Sequence, residues 1–119
     1  MFGKGVYFAD MVTKSANYCF ASKENSTGLM LLCEVALGEV NEKFYADYYA
    51  NLLPEGKHST KGCGRTAPKE GRMLGDVLVP CGEGAPTGSS GSLLYNEFIV
   101  YDVGQIKCRY LFRMRFNYQ

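Results

Sequence analysis

Ile106-Lys107-Cys108-Arg109-Tyr110-Leu111-Phe112-Arg113-Met114-Arg115-Phe116 alternates almost without a break. Ile106, Cys108, Tyr110, Phe112, Met114 and Phe116 fall on one side and Lys107, Arg109, Arg113 and Arg115 on the other, with Leu111 the one apolar exception. Successive side chains of a strand point to opposite faces, so the segment is predicted to be a half-exposed β-strand. Upstream of it, Leu93 to Tyr101 is a second β-prone run, delivered by the Gly, Ser and Pro-rich stretch Cys81 to Ser92, which is expected to be a loop. Asp76 to Pro80 predicts a brief strand. Leu29 to Leu37 is apolar enough to be a strand buried on both faces at the centre of a sheet, opened by Gly28 and closed by Gly38.

The remaining segments are shorter or more broken. Val6-Tyr7-Phe8-Ala9 is a short strand behind Gly3-Lys4-Gly5, and Asp10 is placed to N-cap a helix from Met11 to Ala21. Tyr45 to Leu53 has the composition of a short helix. From Glu39 to Arg72 the residues Pro54, Gly56, Gly62, Gly64, Pro68 and Gly71 are expected to prevent long regular elements. A loop of that length is more often functional than idle. The sum is a strand-dominated α+β fold with mixed and antiparallel pairing and one clear helix, without internal repeats.

At 119 residues and 46% hydrophobic content, the chain has material for one modest core and not for two domains. A formal charge of +1 excludes the electrostatic footprint of a dedicated DNA-binding or membrane-surface domain. The five cysteines are odd in number, widely spaced and free of CxxC pairs, which fits a reducing cell interior. No apolar run is long enough for a membrane helix, and Met1-Phe2-Gly3-Lys4 has no leader-like pattern, so a soluble, non-secreted protein is expected.

Two places concentrate chemistry. On the helix after Asp10, spacings of three and four put Lys14, Ser15 and Tyr18 side by side, with Tyr7 approaching from the strand. Two aromatic rings, a hydroxyl and an ammonium near a positive helix end suit a flat polar ring with an anionic tail. Ordinary core packing around a strand–helix corner accounts for the same spacing. The second place is Glu97, which by alternation shares a face with Leu93, Tyr95, Ile99 and Tyr101. A carboxylate there is expensive to desolvate unless it is paired or used. A structural ion pair explains it as readily as catalysis. Glu34, in the Leu29 to Leu37 run, reads as a satisfied structural carboxylate.

Other signals lead nowhere. Gly3-Lys4-Gly5 lacks the third glycine of a dinucleotide fingerprint, and Gly56 to Gly62 lacks the Gly-Lys-Ser/Thr ending of a phosphate loop. His58, the only histidine, sits among lysines and reads as solvated, and the cysteines lack zinc-site spacing, so no metal is expected.

Met1-Phe-Gly-Lys-Gly-Val-Tyr-Phe-Ala-Asp-Met11, Lys14-Ser-Ala-Asn-Tyr-Cys19, Glu34-Val-Ala-Leu-Gly38, Gly56-Lys-His-Ser-Thr-Lys-Gly62 and Leu94-Tyr-Asn-Glu-Phe-Ile-Val-Tyr-Asp102 together resemble the poly(ADP-ribose) polymerase catalytic domain, in that family's order. Cys19-Phe-Ala-Ser22 and the Gly56 to Gly62 string are more similar to its DNA-damage-activated branch than to the tankyrases. The resemblance implies a partial ADP-ribosyltransferase-like fold that cleaves NAD, its substrate, and transfers ADP-ribose to protein acceptors and growing polymer. Of the family's His-Tyr-Glu triad, Tyr7 matches the tyrosine and Glu97 the glutamate, and the lysine matching Lys14 lies close to that glutamate. The positions matching Ala9, Ser15 and Tyr18 belong to the nicotinamide site, Ser15 as the carboxamide's hydrogen-bond partner and Tyr18 as its stacking ring.

The same resemblance puts the triad histidine before Met1. Residues 1–119 are therefore expected to be the C-terminal part of a catalytic domain, inactive alone, with a non-catalytic binding module as the alternative. It further implies a nuclear protein of DNA repair that meets DNA only through other domains.

Overall fold

The computed structural model describes residues 1–118. Its regular elements are β1 (Val6–Phe8), α1 (Val12–Ala16) followed by a 3-10 turn (Asn17–Cys19), β2 (Thr27–Val35), β3 (Val40–Lys43), β4 (Ser59–Gly62), β5 (Gly64–Leu74), β6 (Val77–Pro86), β7 (Leu93–Tyr95), β8 (Glu97–Val100), a 3-10 turn (Val103–Gln105) and β9 (Ile106–Arg115). The fold is strand-dominated α+β with one α-helix, as the sequence pattern predicts. No helix among the described residues is long and apolar enough to cross a membrane.

The strands form three sheets: a four-stranded one in the order β1-β8-β4-β3, a β2-β9 pair, and a three-stranded one in the order β6-β5-β7. In the first, β8 runs antiparallel to both β1 and β4, while β3 and β4 are parallel. The core sits on this sheet. Phe2, Ala50, Leu93 and Ile99 pack together with Tyr101 against them. The Tyr101 hydroxyl, 2.8 Å from the Phe2 carbonyl oxygen and 2.9 Å from the Thr60 hydroxyl, ties the N-terminal segment to β4.

Several expectations need correction. The apolar run Leu29 to Leu37 does form a strand, β2, but it is neither at a sheet centre nor buried on both faces. It pairs with β9 alone, and Leu29 and Leu31 are exposed. Apolar density records what a strand would bury, whereas burial depends on neighbours supplied by distant segments. The β9 alternation is also interrupted, because Leu32 opposes Tyr110 and Cys33 opposes Cys108, leaving Arg109 as a bulge.

The helix is shorter than expected. It stops at Ala16, the 3-10 turn carries the chain to Cys19, and Phe20 ends it in the left-handed conformation at φ 51°. Asp10 is not its N-cap. Met11 holds that position without a side-chain cap, because the Asp10 carboxylate is engaged by Asn96. Tyr45 to Leu53 makes successive turns, with Ala50 N–H bonded to the Asp47 carbonyl and Leu52 N–H to that of Tyr49, and no helix.

The Gly and Pro residues do not prevent long strands. β5 has 11 residues and contains Pro68 and Gly71, and β6 has 10 and absorbs the first half of the supposed Cys81 to Ser92 loop, through Pro86. Pro68 is tolerated because it stands beyond the short β7 pairing and beside a bulge before Glu70. Gly75, at φ 63°, makes the two-residue turn between Leu74 and Val77 that closes this hairpin. Leu93 to Tyr101 is likewise two strands in different sheets, parted at Asn96.

Candidate active site

The parting at Asn96 aims the carboxylate that follows it. Asn96 is buried and uses both ends of its amide. Its Oδ1 accepts from Gly64 N–H at 2.8 Å, and its Nδ2 donates to Asp10 Oδ2 at 2.8 Å. Gly64 must be glycine for this approach, since a Cβ there would lie 2.2 Å from the Tyr95 carbonyl carbon. One side chain thus pins β5, the start of β8 and the β1–α1 corner together. Glu97 leaves this knot on β8, opposite Gly62 of β4.

On its other edge β8 pairs with β1, Tyr7 opposite Ile99 and Phe8 opposite Phe98, and the continued register brings Ala9 alongside Glu97. The chain then turns into α1, which carries Lys14 back over the strand. Lys14 Nζ stands 2.6 Å from Glu97 Oε1, with the two side chains only 16% and 12% exposed. Glu97 Oε2 is buried and has no hydrogen-bond partner among the described residues. A desolvated carboxylate oxygen without a donor is costly, while its twin is neutralised by an ammonium. The arrangement is an anchored anion with one acceptor position free.

Tyr7, Ala9, Lys14, Ser15, Tyr18 and Glu97 all line one cavity of about 450 Å3, joined by Met1 and Phe8. All the candidate residues read from the sequence therefore converge. That volume suits a small-molecule site. Their states differ. The Tyr7 hydroxyl is occupied by its own turn, accepting from Phe2 N–H at 3.0 Å and donating to the Gly3 carbonyl at 2.7 Å, so its ring and not its hydroxyl is offered to the cavity. Tyr18, on the 3-10 turn, is 70% exposed and leaves its ring uncovered. Ser15 stands where this cavity meets a larger one of about 500 Å3, whose lining of Met30, Phe98, Phe112 and Met114 is mainly apolar. Tyr7, Lys14, Tyr18 and Glu97 line the smaller cavity and not the larger, which has the carboxylate residues Asp10 and Glu34 in its wall.

The expected positive helix end is lacking, because α1 has only 5 residues and so little aligned dipole. The sequence pattern did not single out Asn96, and it read Asp10 as a helix cap and not as the partner of Asn96. Their signal was present in the polar Asn96 inside the apolar Leu93 to Tyr101 run. Burial pushes the Asp10 carboxyl above the usual range, against the lowering effects of its Asn96 bond and of Lys61 and Lys14. Glu34 is paired with Arg109 of β9 at 3.6 Å. His58 is exposed, as its surroundings predict, and its side chain carries one hydrogen bond to the backbone. Its Nδ1 accepts from Glu39 N–H at 3.0 Å, which fixes it beside β3.

Residues 1–116 match the family described as "Poly(ADP-ribose) polymerase catalytic domain". Among curated proteins, the chain is 58% identical over 123 residues to poly [ADP-ribose] polymerase 2 of Arabidopsis thaliana, covering 100% of this chain and 19% of that protein. It is 51% identical over 124 residues to poly [ADP-ribose] polymerase 2 of Homo sapiens, with 99% and 21% covered. To poly [ADP-ribose] polymerase 1 of Danio rerio it is 55% identical over 122 residues, with 100% and 12% covered. The chain thus spans about a fifth or less of the length of these relatives.

Proposed function

The chain belongs to the poly(ADP-ribose) polymerase catalytic-domain family, and on that premise we propose that it supplies the nicotinamide pocket and catalytic carboxylate of an NAD-dependent poly-ADP-ribosyltransferase. The observation that carries this reading is Glu97, with one oxygen held by Lys14 and the other buried without a donor. NAD supplies a ribose carbon whose bond to nicotinamide breaks with the electron pair departing on nicotinamide. Positive charge then grows on the ribose, as in glycoside hydrolysis.

Tyr18 offers its open ring for stacking, and Ser15 its hydroxyl to the carboxamide. Glu97 Oε2 accepts from a ribose hydroxyl, which gives the stranded oxygen the donor it lacks, and its charge stabilises the developing cation. It then takes the proton of the incoming acceptor hydroxyl. Lys14 holds the carboxylate in one orientation, and Tyr7 walls the cavity with its ring. The acceptors are proteins and the growing polymer, in the nucleus, with DNA met through other parts of the protein. No residue of this chain matches the family's triad histidine, since the only histidine, His58, belongs to the separate Gly56 to Gly62 string. Turnover therefore requires the rest of the catalytic domain.

In a catalytic domain containing this chain, Glu97→Gln is expected to lower ADP-ribose transfer about 100- to 1,000-fold while leaving NAD affinity nearly unchanged, since the charge acts in the transition state. Elongation should suffer most. Parental rates of long-polymer synthesis by the folded variant would remove Glu97 from the chemistry. As a separate check of the pocket, Tyr18→Ala should weaken a benzamide-type ligand in calorimetry by about 1 kcal/mol or more through lost stacking, and Ser15→Ala should weaken the same ligand. Unchanged affinity in both would place nicotinamide elsewhere.

A further inference from the structure

Cys33 on β2 and Cys108 on β9 face each other directly in the ladder, at the bulge that leaves Arg109 unpaired. Their sulfurs are 3.6 Å apart, with the Cys33 thiol donating to Cys108. Both are free thiols, Cys108 exposed and Cys33 half-buried. The other three cysteines are engaged differently. Cys19 donates to the Leu29 carbonyl, buried Cys63 to that of Lys61, and Cys81 lies opposite Glu70 on the far hairpin. We propose that Cys33 and Cys108 form a redox modification site, a cross-strand dithiol that a small-molecule disulfide oxidises reversibly to an intrachain disulfide.

Opposed residues of an antiparallel pair have Cα atoms about 4.5 or 5.5 Å apart, and both spacings lie within the range a disulfide accepts. Bond formation therefore needs side-chain rotation and no separation of the strands. As thiols, the two contribute only a weak S–H···S contact at positions where β-branched residues pack better. The pairing is useful chiefly when it is oxidised. A disulfide this accessible is readily reduced again, which suits a reducing compartment, where disulfides are transient and regulatory.

The exchange begins at the exposed sulfur. Cys108 loses its proton to solvent and attacks one sulfur of the oxidant, for example oxidised glutathione. The oxidant's S–S bond breaks, and one half leaves as a thiolate that takes up a proton. Cys33 then gives its proton to solvent and attacks the Cys108 sulfur of the mixed disulfide, expelling the second half, which is protonated in turn. Two protein thiols have lost two electrons and two protons, and one disulfide has become two thiols. Burial, then the hydrogen bond and charge of Cys108, push the Cys33 thiol up to about 11. The resolving step should therefore accelerate as the pH is raised.

The link joins positions 75 residues apart in sequence. It would staple the ladder whose Cys33 and Met30 line the larger cavity together with Ser15. The test treats the folded 119-residue chain with oxidised glutathione, quenches by alkylation, and reads intact mass, free thiols and linked peptides. The expected result is loss of two of the five thiols, a mass lower by two hydrogens once the alkyl groups on the remaining thiols are subtracted, with no glutathione retained, and a single link between Cys33 and Cys108 that dithiothreitol reverses. The oxidised chain should melt roughly 10 °C higher. Cys33→Ser should leave one glutathione trapped on Cys108. Links among other cysteines, a disulfide between two chains, or glutathione stably retained on Cys108 of the parental chain would each overturn the proposal. Because the linked peptides are mapped on the parental chain, the outcome does not depend on a variant folding.

Discussion

In the four-stranded sheet, Ile99 and Val100 of β8 are wholly buried and even Ser59 and Thr60 of β4 lose all contact with solvent, whereas in the β2–β9 ladder Leu31 and Leu111 keep 60% and 65% of their surface exposed. The ladder is the more apolar of the two in sequence and the less buried in structure. Hydrophobic stabilisation follows area removed from water, not the apolar character of the residue, so the order of the two regions in composition is reversed in energy. The difference also separates the candidate site from the ladder. Glu97 and Tyr7 stand on the dense sheet, where a rigid scaffold fixes a carboxylate in place, and the exposed ladder carries only the outer wall of the neighbouring cavity.

The sharpest way to break this contrast is to delete equal side-chain volume from each region. Ile99→Ala should destabilise the chain by about 2–5 kcal/mol, because it opens a cavity at the centre of the only extended core among the described residues. Leu31→Ala, on the exposed ladder, should cost within about 0.5 kcal/mol. Urea denaturation of both variants gives the comparison directly. Equal costs would contradict it. A Leu31 cost that grows with protein concentration would show that the ladder is covered by self-association in solution.

Why the contrast escaped the sequence is a matter of range. The alternation of residues 106 to 116 and the apolar run after Gly28 each mark a strand correctly, since both are local patterns. Which strand lies at the centre is decided by pairings such as Thr60 with Ile99, 39 residues apart, and no local pattern encodes them. Buried Ser59 and Thr60 are invisible for the same reason. Pro68 and Gly71 were expected to break β5, but an adjacent bulge accommodates the proline. The site was more legible than the fold. Lys14 and Ser15 lie on the helix and Tyr18 on the 3-10 turn that continues it, so local spacing suffices to group them, and the isolated charge of Glu97 marks it in an apolar run. What spacing did not disclose is the Asp10–Asn96–Gly64 knot, because three segments far apart in sequence meet there.

A milder perturbation sharpens the same contrast without opening a cavity. Tyr101→Phe keeps the ring packed against the core and removes the hydroxyl that serves the Phe2 carbonyl and Thr60. The expected loss is about 1–3 kcal/mol, since the buried Phe2 carbonyl loses this partner, while Thr60 keeps its bond to the Ala50 carbonyl. Tyr110→Phe on the ladder, where the side chain is exposed, should be nearly silent. A silent Tyr101→Phe would mean that water reaches those groups and that the sheet is less tightly closed than its burial indicates.

The smallest effect expected is at Asp10, where the dense region meets the helix corner. Burial is the largest influence on this carboxyl and raises its pKa above 3.8, outweighing the Asn96 hydrogen bond and the attraction of Lys61 and Lys14. The folded chain therefore holds the Asp10 proton more tightly than the unfolded chain does. By linkage, the stability contributed by Asp10 is fully present below the unfolded value and is lost as pH rises through the folded one, the reverse of an ion-paired aspartate. Asp10→Asn removes the titration yet keeps an oxygen to accept from Asn96. Its stability relative to the parental chain should therefore improve as pH is raised upward from about 3.8 and then level off. Paired urea midpoints across that interval isolate the effect, because the other carboxylates are common to both chains. An advantage that shrinks with rising pH would show that the ionised Asp10 is stabilised by Lys61 and Lys14 after all, and that charge attraction, not desolvation, governs the corner that aims Glu97.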